Sequence, residues 1–410
     1  MRAVMRRPDF RRLFAGLVVT MTAESMLILV LAIWVKGLTG SDSLAAATIF
    51  AIVAPMMLAP LVGWFVDRFR RKPFLIVANL TIAVLLTPLL LVTDHTDVWI
   101  IFTVAAFYGL SYIAIASSIQ GLIKQVVPHE LLADANGALQ TVKQGLRLVG
   151  PLGGAGLYTL FHASVVVMIA SAAFVLAATV IATIPVREQR PEPDPAQLHW
   201  LTEAVAGARH LFGERALRRL VAGVALTVLA FGFAEALLFA YVDHGLNRPE
   251  AFLGVLSAAL GAGGVVGGLS ASAVIRRLGE IGAAGLGTGI VAAGVFAFTY
   301  PHLLLGLAAV PVIGFGVPLL VVSLHTLLQR RTPQRLMGRT VAAVEMLVVG
   351  PQTLAIGAGA VLVGIVDYRL LFVLVGAVVA VAAGYVWLGR HLSTPEPVTP
   401  ERVVPQPVAN

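Results

Sequence analysis

The stretch GWFVDRFRRKP, residues 63–73, ends one long apolar segment and precedes another. It gathers one acid and four cations, although only 12% of the 410 residues are Asp, Glu, Lys or Arg. A soluble globular protein usually carries about 25% charged residues. Most of this chain therefore has little water to face, and residues 63–73 mark a place where it leaves an apolar medium.

Long apolar segments account for most of the chain, of which 58% is hydrophobic. A helix of about 20 residues crosses a hydrocarbon core of about 30 Å, so segments of this length indicate membrane spans. The predicted spans are 13–35, 43–66, 74–93, 97–120, 136–160, 163–185, 219–242, 251–274, 281–299, 302–326, 339–365 and 369–389. The sequence therefore predicts an all-α membrane protein with twelve transmembrane helices.

Lys and Arg residues fall almost entirely on one side of this arrangement. Cytoplasmic loops collect Lys and Arg, whereas outer loops avoid them. With the N-terminus inside, 24 of the 29 Lys and Arg residues are cytoplasmic, and the outer loops hold only Lys36, Arg248 and Arg369. The distribution predicts a multi-pass protein of the bacterial cytoplasmic (inner) membrane with both termini in the cytoplasm. It also explains the net charge of +8 without a nucleic-acid partner.

The chain repeats itself at an offset of 205 to 207 residues. RRLFAG at 11–16 returns as RRLVAG at 218–223, and both open a span. Pairs at an offset of 205 are Gly63 with Gly268, Arg71 with Arg276, Lys72 with Arg277, Pro128 with Pro333, and Leu131 with Leu336. Both halves enter the membrane from the same side, so they are parallel repeats about an axis along the membrane normal. The pattern predicts two pseudo-symmetric six-helix bundles.

Four regions follow from this repeat. They are an N-terminal bundle at 1–185, a cytoplasmic linker at 186–218, a C-terminal bundle at 219–389 and a disordered cytoplasmic tail at 390–410. Apolar residues at helical spacing between 200 and 212 predict an amphipathic helix in the linker. Ser272 stands where the second copy of residues 63–73 would place its acid, so we expect only Asp67 to make an acidic contact.

Ionisable residues inside the spans indicate a functional site, because one at the bilayer centre costs at least about 2.5–3.5 kcal/mol. Glu24 lies at the midpoint of span one, and Arg147 lies near the same depth in span five, so they are candidates for an ion pair. Glu235 and Glu345 lie in spans seven and eleven. We predict proton-coupling or ion-binding roles for the three glutamates, with structural salt bridges as the alternative.

One face of span five is polar. Gln140, Lys143, Gln144 and Arg147 follow the spacing i, i+3, i+4, i+7, so they share one side of a helix. We predict that this face lines a substrate cavity. For Lys143 and Arg147 two roles stay open, which are the neutralisation of Glu24 and the binding of an anionic substrate.

Aromatic residues near these charges are predicted to give the cavity an apolar wall for stacking. They are Tyr108, Tyr112, Phe231 and Phe233. His325 stands alone in span ten, where we expect a packed side chain. The chain has no cysteine and no G-x-x-x-x-G-K-[ST] motif, so we expect no nucleotide-driven step, no cofactor and no metal site.

Residues 63–73 also fit the pattern G-x-x-x-D-R-x-x-R-R/K at every position, through Gly63, Asp67, Arg68, Arg71 and Lys72. With its twelve spans, parallel repeats and long middle linker, the chain resembles the major facilitator superfamily over essentially its whole length. Three stretches are similar to the exporter branch that includes macrolide-efflux and enterobactin-exporter-type proteins. They are PDFRRLFAG at 8–16, VPHELLADANGAL at 127–139 and TPQRLMGRT at 332–340.

The resemblance implies alternating access, in which two bundles rock around a central site. We expect the loop motif to act as a cytoplasmic gate. Asp67 would accept hydrogen bonds from N-terminal helix amides of the other half, where the helix dipole favours an anion. GPLGG at 150–154 resembles the family's span-five motif through Gly150, Pro151, Gly153 and Gly154, with one residue fewer. Span four, YGLSYIAIASSIQGLI at 108–123, lacks the Arg that drug–proton antiporters of the family usually carry.

These observations together predict a secondary active transporter and not an enzyme. The favoured function is proton-coupled efflux of amphipathic small molecules by a monomer in the lipid bilayer. One alternative is a lipid transporter or flippase, or a facilitative uniporter or importer of the same fold. A second alternative is a non-transporting membrane sensor, which would need no carboxylates on cavity helices.

Overall fold

The computed structural model describes residues 2–186, 188, 200–248, 252–362 and 365–393, and all regular structure in them is helical. The helices of the first half are α1 (Arg2–Met5), α2 (Pro8–Thr39), α3 (Asp42–Val53), α4 (Ala59–Asp67), α5 (Arg71–Leu85), α6 (Val98–Val126) and α7 (Leu132–Ala182). Those that follow are α8 (Trp200–Gly213), α9 (Arg215–Ala240), α10 (Phe252–Ala297), α11 (Leu303–Arg331), α12 (Met337–Leu362) and α13 (Tyr368–Trp387).

These helices provide the twelve predicted spans. Eight helical stretches in the described residues are long and apolar enough to cross a membrane. α7 reverses at His162, with φ of 66°, and α10 reverses at Gly279, with φ of 70°, so each holds two spans. α3, a 3-10 turn at Ala54–Leu58 and α4 together form span two, and α12 forms span eleven. The prediction of a twelve-helix membrane protein is confirmed.

Buried apolar side chains follow the division into halves. The most extensive cluster draws only on residues 4–184, through side chains such as Leu27, Leu75 and Phe174. Two further clusters draw only on residues 211–386. Each half thus has its own core, as independent packing of two bundles requires.

The two ends of the bundle need names, because the functional contacts are unevenly distributed. We call the end that holds Pro8 of α2 and Trp387 of α13 the terminal end, and the opposite end the far end. α2 begins and α13 finishes at the terminal end, and Gly279 lies there too. His162 lies at the far end, between spans five and six.

Parts of the predicted linker and tail lie outside the described residues. Residues 187, 189–199 and 394–410 are among these, so the predicted disordered tail is not addressed beyond residue 393. The predicted amphipathic helix corresponds to α8. Its Leu211 is fully buried, whereas Val205 and Phe212 are about half exposed.

Glycines allow some helices to pack backbone against backbone, which is a general device of membrane proteins. In the second half, a Cβ atom on Gly263 of α10 would lie 2.0 Å from the carbonyl oxygen of Pro311 in α11. A Cβ atom on Gly314 of α11 would lie 2.1 Å from the carbonyl oxygen of Leu260. Neither carbonyl can move without the helix that carries it, so this crossing requires both glycines.

We therefore expect Gly263→Ala to destabilise the protein in detergent by about 1–3 kcal/mol, the usual cost of overpacking. The measurement is thermal unfolding followed by loss of the monodisperse peak. Gly254→Ala, in the same helix, is the matched control, because a Cβ there meets nothing within 4 Å. Equal melting behaviour of the two variants would contradict the close crossing.

Candidate functional site

A hollow of about 580 Å³ lies between the two halves, within the range of small-molecule sites. Spans one, four and five contribute its walls from the first half, and spans ten and eleven from the second. The sequence-predicted residues that line it are Glu24, Tyr112, Gln140, Lys143, Gln144, Arg147 and Glu345. Its remaining walls are mainly apolar side chains such as Met21, Ile28 and Leu146.

Lys143 is the centre of the charges in this hollow. Its ammonium group interacts with the hydroxyl of Tyr112, then with the carboxylates of Glu345 and Glu24. Glu24 belongs to the first half and Glu345 to the second, so one cation faces an acid from each bundle. The charged neighbour of Glu24 among the described side chains is Lys143 and not Arg147, because Arg147 lies one helical turn farther along α7.

The polar face of span five is real, and its members differ in exposure. The side chains of Lys143 and Arg147 are exposed toward the hollow, whereas Gln140 and Gln144 are less than 9% exposed. Glu24 and Glu345 are partly exposed. The hollow therefore presents two cations openly and two acids less so.

Three predicted cavity aromatics lie elsewhere. Tyr108 is fully buried in the core of the first half, and its hydroxyl has no hydrogen-bond partner. Phe231 and Phe233 pack against an apolar cluster of the second half. Two residues that are two positions apart project about 200° from each other on a helix, so Phe231 and Phe233 could not both face one hollow. The prediction that these three line the cavity was wrong.

The side chains of Glu235 and Pro151 lie outside the described residues, so their predicted roles stay predictions. The glycines of the span-five motif bring α7 against α2. A Cβ on Gly150 would lie 2.2 Å from Oγ of Ser25, and one on Gly154 would lie 2.9 Å from the carbonyl oxygen of Met26. Gly153 faces the tip of the Met26 side chain.

His325 lines the hollow within electrostatic range of Lys143, which the sequence analysis did not anticipate. It was interpreted as packed because it stands alone in its span. The repeat offers a signal, since at an offset of 205 His325 corresponds to Gln120, which also lines the hollow. Polar residues at equivalent positions of two repeats are better evidence for a shared wall than either residue alone.

A layer of neutral side chains closes the hollow at the terminal end, and we call it the amide floor. The Asn136 amide donates to Oε1 of Gln329 at 2.7 Å and to the Thr326 hydroxyl at 3.0 Å. The Gln329 amide donates to Oε1 of Gln120 at 2.7 Å. Asn136 and Gln120 belong to the first half and the other two to the second, so the floor ties the halves together.

Closer to the terminal end, Asp67 joins α4 to the N-terminus of α12. Its Oδ1 accepts from the backbone N–H of Gly338 at 2.8 Å, and its Oδ2 accepts from that of Arg339 at 2.9 Å. The guanidinium of Arg71 pairs with the same carboxylate, which is only 4% exposed. A Cβ on Gly63 would lie 2.6 Å from the Gly338 carbonyl oxygen, so the two backbones touch. We call these five residues the first latch.

The other cations of the motif do not contact the second half in this way. Nζ of Lys72 donates to the carbonyls of Ala182 at 2.9 Å and Ile184 at 2.6 Å, at the end of α7. The Arg68 guanidinium lies 3.8 Å from the centre of the Trp64 ring. Of the predicted gate residues, Gly63, Asp67 and Arg71 bridge the halves, whereas these contacts of Arg68 and Lys72 lie within the first.

The second copy of the loop motif does make an acidic contact, so the expectation of only one was wrong. Arg276 pairs with Oδ1 of Asp134 at 3.1 Å, and the Ser272 side chain is hydrogen-bonded to the same carboxylate. Asp134 lies in the first turn of α7, on the facing half. The acid is supplied by the opposite helix, which a comparison of equivalent positions within one loop does not reveal.

α8 packs on the first latch. It contacts α4 and α12. A Cβ on Gly207 would lie 2.5 Å from the carbonyl oxygen of Arg339 and 2.7 Å from the backbone nitrogen of Thr340. Near its end, the ring of His210 is hydrogen-bonded to the backbone of Arg331, and its Nε2 is buried without a hydrogen-bond partner. The linker helix thus sits against the turn of α12 that Asp67 binds.

If the first latch holds the terminal end closed, Asp67→Asn opens it more often, because the neutral amide loses the ion pair and one backbone acceptor. Hydrogen bonds to charged groups contribute about 1.5–3 kcal/mol, so an effect of about tenfold or more is expected. The readout is maleimide labelling of Ala133→Cys, a 2% exposed position between the halves, in a chain with no other cysteine. Glu130→Gln, an exposed acid at the same end, is the control. Unchanged labelling of the Asp67 variant would count against the latch.

The docking of α8 should weaken in acid. Burial lowers the pKa of His210, as does the Lys124 ammonium, whereas the Arg331 backbone and Glu214 raise it. A histidine whose pKa in the docked state is below the usual value of about 6.5 binds protons more readily when undocked. Docking is therefore fully favoured above that pH and weakens as the pH falls below it. Hydrogen exchange of α8, corrected for intrinsic rates, should show lower protection at acid pH, and His210→Gln should remove most of this dependence. Equal pH profiles for the two proteins would refute the assignment.

A comparison with known sequences identifies the family. The family model described as Major Facilitator Superfamily matches residues 13–351. A curated relative is macrolide efflux protein A of Streptococcus pyogenes, which is 21% identical over 263 residues. That match covers 63% of this chain and 65% of the relative, less than two thirds of its length.

Solved structures support the same fold. A bacterial homologue of the iron transporter ferroportin in an outward-facing state superposes with a TM-score of 0.75 at 17% identity, covering 93% of this chain and 99% of the other. The human organic anion transporter MFSD10 (TETRAN) superposes with a TM-score of 0.72 at 15% identity, covering 94% and 99%. At such identities these structures establish the fold alone. With the family model matching most of its length, the chain belongs to the Major Facilitator Superfamily and is a multi-pass membrane transporter.

Proposed function

We propose that this protein is a proton-coupled exporter of amphipathic small molecules, working by alternating access in the cytoplasmic membrane of a bacterium. The observation that carries the proposal is the position of Lys143, whose ammonium faces a carboxylate from each half in one hollow. In the proposed topology the terminal end is cytoplasmic, which the Lys and Arg distribution supports. The name of the relative, an efflux protein, supports export.

In the proposed cycle, the described state has its cytoplasmic side closed and receives protons from outside. The first latch and the amide floor tie the halves at the terminal end, below the hollow. A proton that binds Glu345 removes one charge that attracts Lys143 across the halves. Protonation of Glu24 removes the other, so proton binding weakens the electrostatic tie between the bundles and favours the opposite state.

The energies are of suitable size. One proton that moves down a potential of 100 mV supplies about 2.3 kcal/mol, which shifts a two-state population by about 50-fold. The hydrogen bonds of the first latch to a charged acceptor are worth about 1.5–3 kcal/mol. A few such bonds can therefore hold one state and still be released by one or two protons.

The shape and lining of the hollow support an amphipathic solute. Its volume of about 580 Å³ suits a drug-sized molecule. Apolar side chains from Met21 to Val341 surround the charged cluster, so the walls can take an apolar body while Lys143, Arg147 and the acids orient a polar group. No cofactor is needed for this cycle, because the ion gradient supplies the free energy.

The test is transport in proteoliposomes with an imposed pH gradient, using three dansyl amphiphiles that carry a carboxylate, a methyl ester or a primary amine. We expect at least one probe to accumulate against its gradient in the wild type. Glu24→Gln and Glu345→Gln should lose this gradient-driven accumulation, and the surface control Glu130→Gln should keep it.

Equal probe movement in the wild type and in Glu24→Gln would overturn proton coupling. That outcome would favour the facilitative alternative, to which the missing Arg in span four also points. Movement restricted to a fluorescent phospholipid would favour a lipid transporter instead.

A further inference from the structure

We propose that the second half carries a latch of reversed polarity, in which Asp134, Ser272 and Arg276 help to hold the terminal end closed. We call these three residues the second latch. It joins α7 of the first half to α10 of the second half through an ion pair of 3.1 Å and a side-chain hydrogen bond. Asp134 is 4% exposed, so its charge depends on these partners.

The two latches occupy equivalent places in the repeat. At an offset of 205, Ser272 corresponds to Asp67 and Arg276 to Arg71. Asp134 corresponds to Arg339, whose backbone N–H binds Asp67 in the first latch. The acid has therefore moved from the loop motif to the facing helix, and the rest of the arrangement is retained.

A single electrostatic rule accounts for both arrangements. In the first latch, the carboxylate of Asp67 reaches the N-terminus of α12 from the other half. In the second latch, Asp134 stands in the first turn of α7, its own helix. A helix N-terminus carries a partial positive charge, so a carboxylate is favoured there whichever chain segment supplies it. The arginine four residues after position 67 or 272 then binds that carboxylate in both halves.

The backbones also approach each other at both places. Gly63 lies against Ala342 and Gly338, and the equivalent Gly268 lies against Gly137 and Thr141. A Cβ on Gly268 would lie 2.5 Å from Oγ1 of Thr141 and 3.0 Å from its Cα. The equivalent helix pairs thus cross at similar contact, which holds the second latch within reach of its acid.

The two latches differ in exposure, and this predicts different responses to salt. Arg71 and Asp67 have side chains that are 4% and 0% exposed, whereas the Arg276 side chain is 56% exposed. Exposed ion pairs are weak and are screened by salt, and buried pairs are screened much less. The second latch should therefore be the weaker and the more sensitive to ionic strength.

The test moves the acid between the two helices. Maleimide labelling of Ala342→Cys, a fully buried position beside the first latch, reports opening of the terminal end away from the altered residues. Asp134→Ser should increase the labelling rate by about three- to tenfold. The double change Asp134→Ser with Ser272→Asp restores the pattern of the first half and should return the rate to near the wild-type value. Ser272→Asp alone sets two carboxylates side by side and should increase labelling.

Each outcome decides the matter. Wild-type labelling in Asp134→Ser would overturn the proposal, as would a double variant that labels as fast as the single one. High salt should raise labelling of the wild type and leave Asp134→Ser unchanged, and the reverse would also contradict it. Thermal unfolding of all four proteins separates loss of closure from loss of the fold, because the rescue is expected in labelling even if melting temperatures differ.

Discussion

The structure depends on one constraint, which is that a charge within a bilayer must find its partner inside the protein. Lys143 meets this constraint through Tyr112, Glu345 and Glu24, which come from three other helices and from both bundles. The hydrocarbon offers no competing interaction, so the cluster fixes which faces of these helices turn inward. The rest of the arrangement, including the hollow and the polar floor beneath it, follows from bringing those faces together.

Neutral and charged contacts divide the work of joining the halves. The amide floor is buried and uncharged, so it seals without a large desolvation cost and without a strong dependence on pH. Toward the terminal end, carboxylates take over at the N-termini of α7 and α12, where backbone amides and side-chain donors stabilise them. Both kinds of contact consist of a few hydrogen bonds, which suits a surface that has to separate and re-form.

Much of this could be predicted from the sequence, and the limits have physical causes. Apolar length gave the spans, and charge within them identified Glu24, Lys143 and Glu345, because an ionised group in a bilayer has few acceptable surroundings. The aromatic residues could not be oriented in the same way. Tyr108 is as stable in a packed core as in a cavity wall, and only the three-dimensional packing distinguishes these. Depth along a helix was also too coarse to choose Lys143 over Arg147 as the neighbour of Glu24.

Asp134 shows a different limit. A repeat compares residues at equivalent positions, whereas electrostatics compares charges at equivalent places in space, and these are not the same when two helices meet. The acid opposite Arg276 therefore escaped notice, although its position in a first helical turn was visible in the sequence.

The contact of Gly207 with the first turn of α12 has a consequence for control of the protein from outside its core. The free energy of seating α8 adds to the free energy of closure, because α8 rests on both α4 and α12. By thermodynamic linkage, any molecule that draws α8 away makes the closed arrangement rarer, and closure in turn weakens the hold of that molecule. The segment between the bundles is then a handle by which the cell interior can adjust turnover while the binding hollow stays untouched.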